Sequence, residues 1–188
     1  MPKSTHSTPT TRSEFALLYR DHLPAMVRFM RRRLGEAEAE DAAADVFLRA
    51  YRSGIAADAW RVSPAPWLYG IASNVISERR RSERRRLRAL ARIAANVSQA
   101  DPAIVSGDGW RLDASLLSAL RRLKTKDRDA LLLVVWGELS YDQAAEALAI
   151  PVGTLRSRIA RARTALRGDL DCEDPKSEPT LLRGEAHV

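Results

Sequence analysis

The densest chemistry in the chain lies between Ser140 and Arg167, S-Y-D-Q-A-A-E-A-L-A-I-P-V-G-T-L-R-S-R-I-A-R-A-R-T-A-L-R. Arg156, Arg158, Arg161, Arg163 and Arg167 recur there with Ser157 and Thr164, and no acidic residue falls between Thr154 and Arg167. Guanidinium and hydroxyl groups donate to base edges and to phosphate oxygens. At helical spacing Leu155, Ile159, Ala162 and Leu166 share one face, while Ser157 and Thr164 lie roughly opposite, beside Ala160 and Arg161. A helix with an apolar stripe on one side and an acid-free basic surface on the other can enter a DNA major groove. An Arg-rich surface helix of a bundle has the same composition, so the pattern alone leaves both readings open.

A second concentration runs from Glu78 to Arg92, with eight arginines and two glutamates. It continues an amphipathic segment that also offers Trp67, Tyr69 and Asn74. Aromatic and amide groups beside arginines can hold unstacked bases while the charge follows the strand. For Trp67 a place in the core is an equal reading. His22 sits on an apolar side with no second His or Cys at ligand spacing, so a packed histidine is expected. Cys172 is the sole cysteine, which excludes an internal disulfide and a Cys-rich zinc site. No Walker-type glycine loop and no nucleophile–base pairing is apparent, so neither an enzyme nor a cofactor or metal site is expected. The net charge of +7 and a pI of about 10.2 favour a polyanionic partner without separating DNA, RNA and anionic membrane.

Helices must carry both basic surfaces. Ser140 and Gln143 make a capping box, which predicts a helix start. Ala149 to Gly153 carries a turn, and Pro151 suits the first position of the next helix, which runs to about Arg167. Two short helices with a tight turn describe a helix-turn-helix. Upstream, Arg111 to Leu123 predicts a helix burying Leu112, Leu116, Leu117 and Leu120. Lys126 to Trp136 predicts another, with Ala130, Leu131, Val134 and Val135 on its apolar side and Gly137 as its stop.

The N-terminal half predicts three helices. The first starts at Ser13 and runs to about Arg33, with Pro24 as a kink or break and Gly35 as the stop. The second spans Glu36 to Arg52, acidic at its start and basic at its end, as the helix dipole favours. Ala42, Val46, Leu48 and Ala50 are its candidates for burial, with Phe47 and Tyr51 four apart on a neighbouring face. Asp41, Asp45 and Phe47 read either as a solvated acid edge with a core aromatic or as a docking surface with an aromatic anchor among carboxylates. The third begins near Pro66 and runs through the arginines. Ser53 to Pro66, with Trp60, reads as a connector.

The chain therefore reads as all-α, with two small helical domains at 13–92 and 111–170 joined by a flexible linker at 93–110. Residues 1–12 and the acidic stretch 171–188 read as disordered ends. No apolar run could span a bilayer and the N-terminus has no secretory core, so a cytoplasmic protein without membrane insertion is expected.

The segments A-E-D-A-A-A-D-V-F-L-R-A-Y-R and P-W-L-Y-G-I-A-S-N-V-I-S-E-R-R-R together resemble region 2 of an extracytoplasmic-function sigma factor of bacterial RNA polymerase, a group within the sigma-70 family. The helix-turn-helix resembles its region 4. The resemblance covers most of the chain from Phe15 to Arg167, and the bulky middle domain of larger sigma factors is absent. It implies a promoter-specificity subunit that joins core RNA polymerase, recognises the −35 and −10 promoter elements, promotes strand opening and answers to an anti-sigma factor. It places Asp41, Asp45, Phe47 and Arg49 against the β′ coiled coil, and the Arg111–Gly137 segment at the β-flap. It puts Trp67, Asn74, Arg79, Arg80 and Arg81 at the −10 element, with Asn74 beside a flipped base and the 53–66 loop lining the pocket. It puts Thr154, Arg156, Ser157, Arg158, Ala160 and Arg161 at the −35 element. The sequence departs at Ala144, where a larger aliphatic residue is frequent, and at Ala149, where glycine is frequent. Ala160 offers a base at most a methyl contact. The alternative is a stand-alone helix-turn-helix regulator that binds duplex DNA without polymerase.

Overall fold

The structure, a computed structural model, describes residues 9–53, 63–93 and 114–173, with side chains over 13–53, 63–89 and 115–168. Every regular element in it is a helix. These are α1 (Pro9–Leu34), α2 (Glu36–Arg52), α3 (Pro64–Ile93), α4 (Ala114–Arg122), α5 (Thr125–Val135), α6 (Tyr141–Ala147) and α7 (Val152–Glu173). Residues 54–62 of the connector, with Trp60, together with residues 94–110 of the linker, Leu112 and the end beyond Glu173, lie outside the described residues; α3 begins at Pro64, inside the stretch expected to be connector.

Helices α1, α2 and α3 form one three-helix unit. Helix α1 begins at Pro9, ahead of the expected Ser13, and it runs through Pro24 without a break. Pro24 is exposed, so the carbonyl it leaves without a donor lies toward water. Gly35 stops the helix: its φ of 94° is open to glycine, and its N–H donates to the Arg31 carbonyl at 2.8 Å. The fully buried Ala39, Ala42, Ala43 and Ala50 let α2 approach its neighbours closely. Met26, Phe29 and Met30 of α1 and Leu68, Val75 and Ile76 of α3 fill the core around Val46.

The second unit contains α4 to α7. The capping box at α6 is present in both halves. Ser140 Oγ accepts from the Gln143 N–H at 3.2 Å, and Gln143 Oε1 accepts from the Ser140 N–H at 2.9 Å. Ala149 carries the turn with a φ of 51°, in the left-handed region. Pro151 sits one residue outside α7, its carbonyl accepting from the Leu155 N–H at 3.1 Å. Leu155, Ile159 and Ala162 are buried as their spacing required, and Leu166 packs beside them. Helix α7 continues to Glu173, past the expected end at Arg167, so Asp171 to Glu173 are helical rather than part of a tail.

Two apolar expectations need correction. Leu48 is 46% exposed, because it lies two residues off the Val46–Ala50 row that faces the core. Val135, at the last turn of α5, is 51% exposed.

The two units touch. Helix α3 packs on α6, and the buried side chains of both units form one continuous cluster. A Cβ at Gly70 would lie 2.9 Å from the carbonyl oxygen of Ala147, so this approach requires glycine. Arg33 at the end of α1 pairs with Asp129 of α5, and the Arg80 guanidinium lies 3.8 Å from the same carboxylate. Arg80 also donates to the Arg33 carbonyl at 3.3 Å. One carboxylate thus answers two buried arginines contributed by the other unit.

Candidate nucleic-acid interface

The upstream candidates cluster as the sequence predicts. Thr154, Arg156, Ser157, Ala160 and Arg161 are exposed along α7, opposite its buried stripe, and Arg158 is half-buried at the edge. The Ser157 hydroxyl donates to the Gly153 carbonyl at 2.9 Å, which leaves its lone pairs outward. Arg161 is the exception in charge. Its Nε and Nη2 donate to the two Asp127 oxygens at 3.2 and 2.9 Å. Those hydrogen bonds, ahead of an opposing desolvation and a supporting coulombic attraction, hold its pKa above the ordinary value.

The α3 candidates separate into three situations. Asn74 and Arg81 are exposed, and Trp67 is half-buried against the core. Arg81, Ser82 and Arg85 line an open groove with Glu78 and Arg79, a mixed lining in which arginines outnumber the one carboxylate. Arg79 faces α2, with Asp41 at 2.6 Å and Glu38 at 3.3 Å. Burial lowers its pKa, but the hydrogen bonds to Asp41 and Glu38 outweigh that and raise it overall. Arg80 is 6% exposed beneath the second unit, so in this arrangement it cannot lie on a DNA phosphate.

The α2 candidates for polymerase contact are also partly spent on the fold. Arg49 grips Asp45 at 2.9 and 3.1 Å and Glu78 at 2.7 Å, and the Asp45 bond is the main reason its pKa is raised. Asp41 is exposed while pairing with Arg79. Phe47 corrects the docking expectation. It is 3% exposed and meets Tyr19 edge-on at 4.9 Å, so it is a core residue and not a surface anchor. Among the described residues, the large apolar side chains that α1 and α2 expose are Leu17, Tyr19, Leu48 and Tyr51. Their signal in the sequence was their position off the core row, which a period count misses when neighbours are equally apolar.

Arg33 was also missed. It reads as one of three basic residues closing α1, and its partner lies 96 positions away. No described helix is long and apolar enough to cross a membrane.

Family models match the two units separately: sigma-70 region 2 over residues 18–86 and sigma-70 region 4 over residues 113–166. The probable RNA polymerase sigma-C factor of Mycobacterium bovis is 36% identical over 141 residues, covering 72% of each chain. The extracytoplasmic-function sigma factor SigW of Bacillus subtilis is 32% identical over 147 residues, covering 71% of this chain and 75% of its own. Among solved structures, CnrH in complex with the cytosolic domain of CnrY superposes with a TM-score of 0.59 at 26% identity, over 86% of this chain and 90% of that one. The sigma factor RpoE of Bartonella quintana has the same fold, with a TM-score of 0.58 over 87% of this chain and 98% of its own.

Proposed function

This chain belongs to the extracytoplasmic-function sigma factors of the sigma-70 family, and from that membership we propose how its surfaces divide the work of starting transcription. It joins core RNA polymerase, recognises −35 and −10 promoter elements and promotes strand opening. In our reading the exposed row Thr154, Arg156, Ser157, Ala160 and Arg161, with Arg158 at its edge, meets the −35 element as duplex. Asn74, Arg81 and the adjoining groove on α3 hold the separated −10 strand, with Trp67 beside them. Extruding a base costs a few kcal/mol, which amide hydrogen bonds and guanidinium contacts can offset.

The observation that carries this reading is the exposed face of α7 between Thr154 and Arg167, which contributes no acidic residue of its own and is held by its buried stripe on a capped helix-turn-helix. The polymerase-facing surface is assigned to the outer side of α2, through Asp41, Asp45 and Arg49. The exposed Leu48 and Tyr51 take the place expected of Phe47. The chain itself acts as an initiation factor with no catalytic step of its own, in the compartment where transcription occurs. Control by an anti-sigma factor is part of the proposal; the similar CnrH was solved in complex with the cytosolic domain of CnrY.

Run-off transcription with purified core polymerase on a promoter library tests the whole reading. Sequence-selective initiation supports it. Duplex binding without polymerase association overturns it in favour of a stand-alone regulator.

A further inference from the structure

Arg161 is the one arginine among the α7 reading residues whose side chain is bonded by both its Nε and an Nη to a carboxylate on another helix. Asp127 lies in the first turn of α5 with its side chain 8% exposed, whereas the Arg161 side chain is 58% exposed. Arg128 donates to the Arg121 carbonyl at 3.4 Å, and Lys124 and Lys126 are exposed. Arg161 donates to both oxygens of the Asp127 carboxylate.

The way the two groups meet leaves a defined remainder. A guanidinium has five N–H donors in a rigid planar fork. Asp127 takes the side edge, with Nε to Oδ2 at 3.2 Å and Nη2 to Oδ1 at 2.9 Å. The end edge, made of Nη1 and the outer hydrogen of Nη2, has no hydrogen-bond partner among the described residues and belongs to an exposed group. Two parallel N–H donors of this kind match the O6 and N7 acceptors of guanine.

We propose that Asp127 is a positioning residue for promoter recognition: it clamps Arg161 by its side edge and presents the end edge to one guanine of the −35 element. The inference rests on the reading of α7 given above and adds the base class and the residue that enforces it. Arg161 has several rotatable bonds, and a side chain ordered before binding does not lose that freedom at the interface. The clamp also limits which acceptors can be met. A guanidinium free to swing can satisfy a phosphate or another base, whereas one held by its edge cannot.

This reading makes a prediction opposite to simple charge counting. Asp127 is an anion close to a DNA-facing surface, so its removal strengthens attraction to any duplex. If it positions Arg161, its removal must weaken discrimination at one base pair while non-sequence-specific binding stays level or rises.

The test uses reconstituted holoenzyme carrying wild type, Asp127→Asn, Arg161→Ala, the double variant and Arg161→Lys. Binding and run-off are measured on −35 elements in which each guanine in turn is replaced by 7-deazaguanine or adenine. The expected result is one guanine whose replacement penalty falls roughly 2- to 10-fold in Asp127→Asn, the scale of one pre-ordered side chain. At that position Arg161→Ala adds little in the Asp127→Asn background. Arg161→Lys keeps the charge and leaves Asp127 intact but has no planar fork, so it loses the same single-position discrimination and guards against a folding defect in the Asp127 variant. An equal loss at all positions, or penalties for Asp127→Asn and Arg161→Ala that multiply independently, would assign the pair to packing α5 on α7 and overturn the proposal. Unchanged discrimination at every guanine in Asp127→Asn overturns it too, while leaving the −35 reading standing. A wild-type holoenzyme indifferent to −35 sequence removes both.

Discussion

Gly70→Ala separates two effects that usually travel together. Gly70 lies inside α3, where replacing glycine by alanine favours the helix by about 0.8–1.0 kcal/mol. Its missing Cβ is also where α3 meets α6. The new methyl carbon would start 2.9 Å from the Ala147 carbonyl oxygen, about half an ångström inside the 3.4 Å at which ordinary contact begins. That oxygen is backbone and cannot rotate away. Either α6 moves off α3 or the contact is strained, and overpacking of this kind costs roughly 1–3 kcal/mol. The cost falls on the contact between the units, so it shifts the closed-to-open ratio by roughly 5- to 150-fold. The gain falls on the α1–α3 unit, so its unfolding shifts upward. Small-angle scattering reads the first effect. A compact chain of this length has a radius of gyration of about 16 Å, and the variant should be measurably larger than wild type. Circular dichroism reads the second. Opening would also uncover Arg33 and Arg80, both at most 6% exposed when closed, so single-stranded DNA binding should rise. An unchanged radius with a lowered melting temperature would refute the reasoning, since the clash would then be absorbed within one unit.

Three further outcomes follow from particular contacts. Ala149→Gly should raise the melting temperature of the second unit, because a φ of 51° costs an L-residue roughly 1–2 kcal/mol and glycine's extra chain entropy returns only part of that; an unchanged or lower value counts against a strained turn. Burial, and secondarily the Glu138 carboxylate, raise the Tyr69 phenol above its ordinary 10.0. The fold therefore favours the neutral phenol, and this contribution is intact below about pH 10 and lost as pH climbs through the raised value. The difference in urea midpoint between wild type and Tyr69→Phe should change above about pH 10 and stay flat below it. Asn74→Ala should slow promoter opening, read by permanganate reactivity of unpaired thymines, while the amount of holoenzyme formed stays constant. A loss of holoenzyme would mean that this exposed side chain serves docking instead.

Which residues could be read from the sequence depends on how far away their partners lie. The capping box, the stop at Gly35 and the buried stripe of α7 are set within a few positions, so spacing alone located them. At Ala149 the sequence shows only a departure from a frequent glycine, and the φ of 51° is the left-handed conformation that favours glycine there. Phe47 and Leu48 stand side by side and are equally apolar, but Phe47 falls at helical spacing from the buried Ala43 and Ala50 while Leu48 lies about 100° further round, so the register of the small buried alanines separates them. Charge was harder still. Arg79, Arg80 and Arg81 are consecutive and chemically identical, yet one pairs with α2, one is buried against the second unit and one faces solvent. A helix turns about 100° per residue, so a run of like charges wrapped around it cannot share one role. An Arg run on a helix should accordingly be read residue by residue against what packs on each side. Here that divides the basic surface of α3 into residues that hold the fold and residues left exposed to solvent, and it makes the exposure of Arg80 depend on whether the two units are together.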